Sequence, residues 1–242
     1  MAKTMKQVAL ITGGAKRIGK AIALALAEHG FDIAIHYQRS QKEAESTASD
    51  IRKLDGTCEL FRCDLSDSGA VEGLIPSVHR RFGRCDLLVN NASIFTRASL
   101  MDTSTDLLDR IIQINLKAPV LLSKAFASRC EKGQIINLLD TKISSNQSPY
   151  FIYTLMKKSL YDFTRMAAAE LGPSIRVNGI APGLILPSAD SSSEDFERMG
   201  KKIPLQTTGN SSHIVQAVLY LLDNPFISGE CLYVDGGEHL KS

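Results

Sequence analysis

The sequence predicts one doubly wound α/β domain over residues 1–242, built on a parallel sheet of seven strands. Three observations lead there. Short β-type apolar runs alternate with helical patterns almost to the C-terminus, the order that joins parallel strands through crossover helices. Those runs lack strict apolar–polar alternation, as strands covered on both faces do. The first of them enters a glycine turn, Thr12-Gly13-Gly14-Ala-Lys-Arg-Ile-Gly19, and then a helix, which makes the fold Rossmann-type.

The elements follow in order. A strand over Val8–Thr12 leads past the turn to an alanine-rich helix, Ile18–Glu28. Strand two, Asp32–Tyr37, is followed by a helix over Gln41–Leu54, and strand three, Thr57–Cys63, by one over Ala70–Phe82. Strand four is Leu87–Asn90, and a long helix, Thr105–Ala127, separates it from strand five, Gln134–Leu139. The helix Ile152–Glu170 precedes strand six, Arg176–Ile180, and Ser211–Leu222 precedes the last strand, Cys231–Val234. One segment breaks the rhythm. Leu184–Gln206 holds Pro187, Pro204, Ser188, Ser191, Ser192 and Ser193, with a short helical stretch near Glu194–Met199. It follows a strand at the sheet's carboxyl edge, so a flexible substrate lid is expected there in preference to a variable surface loop.

Composition narrows the function. A chain of 242 residues, 44% hydrophobic and 22% charged, suits one large globular core. A net charge of +2 suggests neither nucleic acid nor an anionic membrane as partner. No stretch approaches the ~20 apolar residues of a membrane span, and the N-terminus lacks the apolar run of a signal peptide. The five cysteines are scattered and form no C-x-x-C pair, as free thiols in a reducing compartment would be, so a cytoplasmic location is expected. His29, His36, His79, His213 and His239 show no metal-ligand spacing, and no metal is expected. No Gly-x-Ser-x-Gly elbow occurs, which leaves a hydrolase little support.

The turn itself speaks for a dinucleotide. Gly13, Gly14 and Gly19 let the backbone approach a pyrophosphate at a helix N-terminus. The end of strand two decides which dinucleotide. A carboxylate there would take ribose hydroxyls, but Ile35-His36-Tyr37-Gln38-Arg39-Ser40 has no acid. Arg39 and Ser40 suit a 2′-phosphate, and Lys16 adds a cation. NADPH is expected over NADH.

Tyr153 and Lys157 stand one helical turn apart on the same face. The ammonium there is expected to lower the tyrosine pKa from about 10 and make its hydroxyl a usable proton donor near neutral pH. Asp140 lies thirteen positions before Tyr153. Reducing a C=N bond needs hydride on carbon and a proton on the adjacent nitrogen. A carboxyl group can bind an amino edge and supply that proton together with the tyrosine, which serine does less well.

The assembled residues resemble the short-chain dehydrogenase/reductase family over essentially the whole chain. The matching pieces are Thr12-Gly13-Gly14…Gly19, Asp64-Leu65, Asn90-Asn91-Ala92, Asn115, Tyr153…Lys157 and Pro182-Gly183. The resemblance implies that Asp64 and Leu65 touch adenine and that Asn91 lines the adenosine ribose side. It implies Lys157 on the nicotinamide ribose, Asn115 anchoring a water in a proton relay, and a homotetramer built on the Thr105–Ala127 and Ile152–Glu170 helices. Arg17 stands where the family usually has a third glycine, and Asp140 where it has a serine. Both departures are similar to pteridine reductases, as are the segments His36–Ser40 and Asn91-Ala92-Ser93-Ile94-Phe95. There Phe95 would stack on the heterocycle, although alone it would equally suit a core position. Ile185 departs from a hydroxyl residue that often helps bind the pyrophosphate.

The expected activity is NADPH-dependent reduction of a pterin, of dihydropteridine or dihydrofolate type. Asp140, Tyr153, Lys157 and Asn115 would carry the catalysis. Cofactor contacts would come from Gly13, Lys16, Arg17, Ile18, Gly19, His36, Tyr37, Arg39, Ser40, Asp64, Leu65, Asn91, Ala92, Ser93, Tyr153, Lys157, Pro182 and Gly183. Arg17, Ser93, Phe95, Asp140 and Tyr153 would hold the substrate. A ketone or 3-oxoacyl thioester reductase, and a non-catalytic family member, stay open as alternatives.

Overall fold

In the computed structural model, which describes residues 6–146, 148–187 and 192–241, seven parallel strands form one sheet in the order β3-β2-β1-β4-β5-β6-β7. They are β1 (Val8–Ile11), β2 (Asp32–Tyr37), β3 (Cys58–Arg62), β4 (Leu87–Asn90), β5 (Gly133–Leu138), β6 (Ile175–Pro182) and β7 (Cys231–Val234). Every expected strand is present.

Side chains alternate between the two faces with the strand's period of two. Ala9, Ile11, Ile33, Ile35, Leu87 and Val89 face one layer, where Ile22 and Leu26 of α1 (Arg17–Glu28), Ile51 of α2 (Gln41–Arg52) and Val218 of α8 (Ser211–Asp223) cover them. Val8, Leu10, Ala34 and Leu88 face the other layer, against Ile75 of α3 (Ser68–Phe82), Phe126 of α5 (Ala118–Ala127) and Ala167 of α6 (Phe151–Leu171). Full burial of each large apolar side chain stabilises by roughly 1.5–3 kcal/mol, so both faces hold the sheet.

The strand order reverses between β1 and β4. Their following loops diverge, and the crevice at their carboxyl ends is where such sheets place ligands.

The expected Thr105–Ala127 helix is interrupted. It consists of α4 (Thr105–Ile112), a π turn over Gln113–Lys117, and α5. Pro119 explains the break, because it has no N–H to give the Asn115 carbonyl in the α pattern. The insert contains α7 (Ser193–Gly200), capped by Ser192, whose hydroxyl accepts from the Asp195 N–H. Ser188 and Ser191 lie outside the described residues. No helix of the described residues is long and apolar enough to cross a membrane.

Candidate active site

The glycine turn after β1 is built from inside. Gly13 has a φ of +63°, the left-handed region that glycine enters freely. Its N–H donates to His36 Nδ1 at 3.1 Å, and His36 Nε2 donates to the Cys63 carbonyl at 3.1 Å. Burial drops the His36 pKa to about 4, so the ring stays neutral in this double role. Asn91, after β4, donates through Nδ2 to the Thr12 and Gly13 carbonyls at 2.8 and 3.2 Å. At Gly19 a Cβ would lie 2.3 Å from the Gly13 carbonyl oxygen, so only glycine fits.

A cavity of about 310 Å³ opens over this turn, bordered by Lys16, Arg17, Ile18, Leu65, Ala92 and Ser93. α1 begins here with no side-chain cap and no acid in its first turn, so its leading N–H groups suit an anion. These features fit a dinucleotide's pyrophosphate. At the end of β2, Arg39 is exposed, and Ser40 starts α2 without capping its N–H groups. The Asp64 carboxylate accepts from the Ser66 N–H and hydroxyl at 2.9 and 2.7 Å, which holds it below its usual range.

Across the crevice, the Tyr153 hydroxyl donates to Asp140 Oδ2 at 2.7 Å. Asp140 Oδ1 accepts from the Lys142 N–H at 2.9 Å, with the Lys142 ammonium 3.5 Å away. Lys157 Nζ donates to the Leu138 carbonyl at 2.6 Å. Phe95 is 42% exposed; its ring stacks on Tyr150 at 3.9 Å and meets the Tyr153 ring edge-on at 4.8 Å. Asn115, held in the π turn, accepts from the Ile94 N–H and donates to the Ile94 carbonyl, at 2.9 and 2.8 Å. It also accepts from the Ser93 hydroxyl at 3.3 Å, and Ser93 reaches the Tyr153 side chain.

Comparison with known proteins agrees with this geometry. The family model described as enoyl-(acyl carrier protein) reductase matches residues 13–239. Pteridine reductase 1 of Leishmania tarentolae is 33% identical, over 96% of this chain and 96% of its own. The chain belongs to the short-chain dehydrogenase/reductase family. The 3-oxoacyl-[acyl-carrier-protein] reductase FabG of Staphylococcus aureus is 32% identical over 98% of this chain and 99% of its own. Among solved structures, FolM alternative dihydrofolate reductase 1 from Brucella suis, in complex with NADP, superposes with a TM-score of 0.93 at 40% identity, covering 97% of this chain and 95% of that one.

This short-chain dehydrogenase/reductase is therefore an oxidoreductase, and its site corrects several sequence expectations. Lys157 does not lower the Tyr153 pKa. Burial raises it well above 10, and the adjacent Asp140 charge and hydrogen bond raise it further, because the carboxylate and not the ammonium meets the hydroxyl. Burial instead lowers Lys157 itself to about 8. His36 borders the cavity, but both ring nitrogens are committed to backbone, so it shapes the turn and offers no free group. Asn115, for its part, is fixed in place by the hydrogen bonds of its amide to Ile94. Phe95 is not core.

Gly183 passes so close to β7 that a Cβ would lie 2.6 Å from Asp235 Cβ. Ile185 is buried in the core and offers the cofactor nothing polar. Arg17 keeps the glycine-like backbone of the family pattern, with φ 54°, and its guanidinium donates to the Pro187 carbonyl at 2.9 Å.

Three participants went unread in the sequence. Tyr150 backs Phe95. The Lys142 ammonium lies 5.7 Å from the Phe95 ring centre. Buried Asp235 accepts the Thr141 hydroxyl at 2.6 Å and so fixes the turn after Asp140. The Gly236-Gly237 pair after the last strand was the available signal for a close-packed turn there.

Proposed function

We propose that this reductase uses NADPH to reduce a pterin ring of dihydropteridine or dihydrofolate type. The observation that carries the reading is the 2.7 Å bond between Tyr153 and Asp140 beside an exposed Phe95 ring. A ketone needs one hydroxyl donor, whereas a pterin presents an amino edge and ring nitrogens that a carboxyl group serves. The names of the Leishmania and Brucella relatives support the same substrate class. NADPH is supported by Arg39 and uncapped Ser40 at the end of β2, and by the NADP bound in the Brucella protein.

When bound, the cofactor supplies hydride to a ring carbon. Phe95 offers the heterocycle one face to lie on. Asp140 and Tyr153 together supply the proton for the neighbouring nitrogen: the phenol gives its proton to the carboxylate, the carboxyl so formed passes it to the nitrogen, and solvent reprotonates the phenolate. Lys157 serves the nicotinamide ribose, Ser93 lies between cofactor and substrate, and Arg17 reaches both. The insert acts as a lid whose start is tied to Arg17 through Pro187 and whose end is tied to Gly236 through the Leu205 N–H. A homotetramer on α4, α5 and α6, and a cytoplasmic location in keeping with the free thiols, belong to the same reading.

A second reading is 3-oxoacyl thioester reduction, favoured by the comparable identity to FabG. The test is NADPH oxidation against dihydrobiopterin, dihydromonapterin, dihydrofolate and a panel of ketones and 3-oxoacyl thioesters. Activity confined to the ketones and thioesters would replace the first reading by the second.

A further inference from the structure

A second cavity, of about 340 Å³, lies between the turn that follows Asp140, the insert, and the C-terminal 3-10 turn Glu238–Lys241. That is near the lower end of the ~300–1,000 Å³ of ligand pockets. Leu184, Met199 and Ile203 give it an apolar lining, and Lys142, Lys202 and Lys241 give it positive charge.

Lys142 joins this cavity to the catalytic pair. Its ammonium is 3.5 Å from Asp140 and 5.7 Å from the Phe95 ring centre. A heterocycle lying on Phe95 within reach of Asp140 therefore has the cavity beside it. Lys241 Nζ donates to the Lys202 carbonyl at 2.7 Å, which keeps two of the lysines together. The opposing acids are Asp140, which pairs Lys142, and Glu238. Burial raises the Glu238 pKa, and the Glu238 Oε2 is enclosed without a hydrogen-bond partner among the described residues. With Lys142 paired to Asp140, Lys202 and Lys241 still outnumber Glu238 in the lining, so the cavity favours anions.

We infer that this cavity is the subsite for the substrate's tail, and that it selects an apolar tail ending in carboxylate, as in dihydrofolate, over a short neutral one. The inference rests on the pterin reading above. An apolar segment would lie along Met199 and Ile203, and the carboxylate would meet Lys202.

Lys202 can be changed without touching the catalytic groups. Steady-state kinetics with NADPH would compare the wild type, Lys202→Met and Lys202→Arg on dihydrofolate and on 6-methyl-dihydropterin, which has no anionic tail. The expected result is a KM for dihydrofolate raised about three- to tenfold in Lys202→Met, as for a partly exposed charge contact. Unchanged kcat, retention by Lys202→Arg and no effect on 6-methyl-dihydropterin belong to the same expectation. Equal changes on both substrates, or none on dihydrofolate, would overturn the subsite. Failure of the wild type to reduce either pterin would overturn the pterin reading instead. Calorimetric titration with p-aminobenzoylglutamate then judges the cavity by itself: binding that Lys202→Met weakens upholds an anionic-tail subsite, and no binding removes it.

Discussion

The Tyr153 hydroxyl is hydrogen-bonded to Asp140 and not to Lys157, although the lysine is one helical turn away. The phenol is thereby kept protonated and aimed at a carboxylate. Tyr153→Phe and Asp140→Ala are each expected to cut pterin turnover by roughly 10²–10⁴-fold, the usual loss for an acid–base group. Asp140→Ser, which restores the common family residue, should remove pterin reduction while leaving NADPH binding intact. Undiminished turnover in that variant, followed by NADPH absorbance, would sink the assigned role of the carboxylate.

Lys157 gives the stability a pH dependence of known sign. Its pKa falls from 10.5 to about 8 in the folded chain. Between those values the unfolded chain holds the proton and the native one does not, so stability from this group rises with pH from about 8 to about 10.5. Below about 8 the native state bears the full cost of a buried ammonium. Lys157→Met should flatten this rise in urea midpoints measured across the window and should lose activity. An unchanged pH slope would show that the group titrates elsewhere.

Arg39 is exposed at the end of β2, where it can meet a 2′-phosphate. One charge-assisted contact contributes about 1.5–3 kcal/mol. Arg39→Ala is accordingly expected to weaken NADPH binding roughly ten- to hundred-fold and to spare NADH. Fluorescence titration with both cofactors checks it; equal losses would contradict the discriminating role.

Gly19 sits where a methyl group would lie 2.3 Å from the Gly13 carbonyl and 2.7 Å from Asn91 Nδ2. Gly19→Ala must therefore push apart the turn and its Asn91 clamp. A destabilisation of about 1–3 kcal/mol is expected from such overpacking, together with weakened cofactor binding. Thermal melts without cofactor separate the first effect from the second, and a native melting temperature would refute the crowding argument.

The sheet was legible because each strand carries its own apolar run, and Gly13, Asn91, Asp140, Tyr153 and Lys157 because family spacing marks them. What escaped was long-range or dependent on a missing hydrogen bond. Thr141 and Asp235 are 94 positions apart, so no local spacing links them. The π turn around Asn115 was hidden by an apolar pattern that continues through it, although Pro119 was in plain sight. Tyr153 shows a further limit. A residue four positions away predicted its electrostatics less well than one thirteen away, because the turn after β5 brings the carboxylate to the hydroxyl itself.

Arg17 holds a backbone conformation with φ 54° that costs a side-chain-bearing residue on the order of 1 kcal/mol or more. Glycine would relieve that cost and lose the guanidinium that reaches Pro187. Heat resistance and turnover thus select in opposite directions at one position. A variant library at residue 17 screened by melting temperature should collect glycine, and the same library screened for pterin turnover should keep arginine.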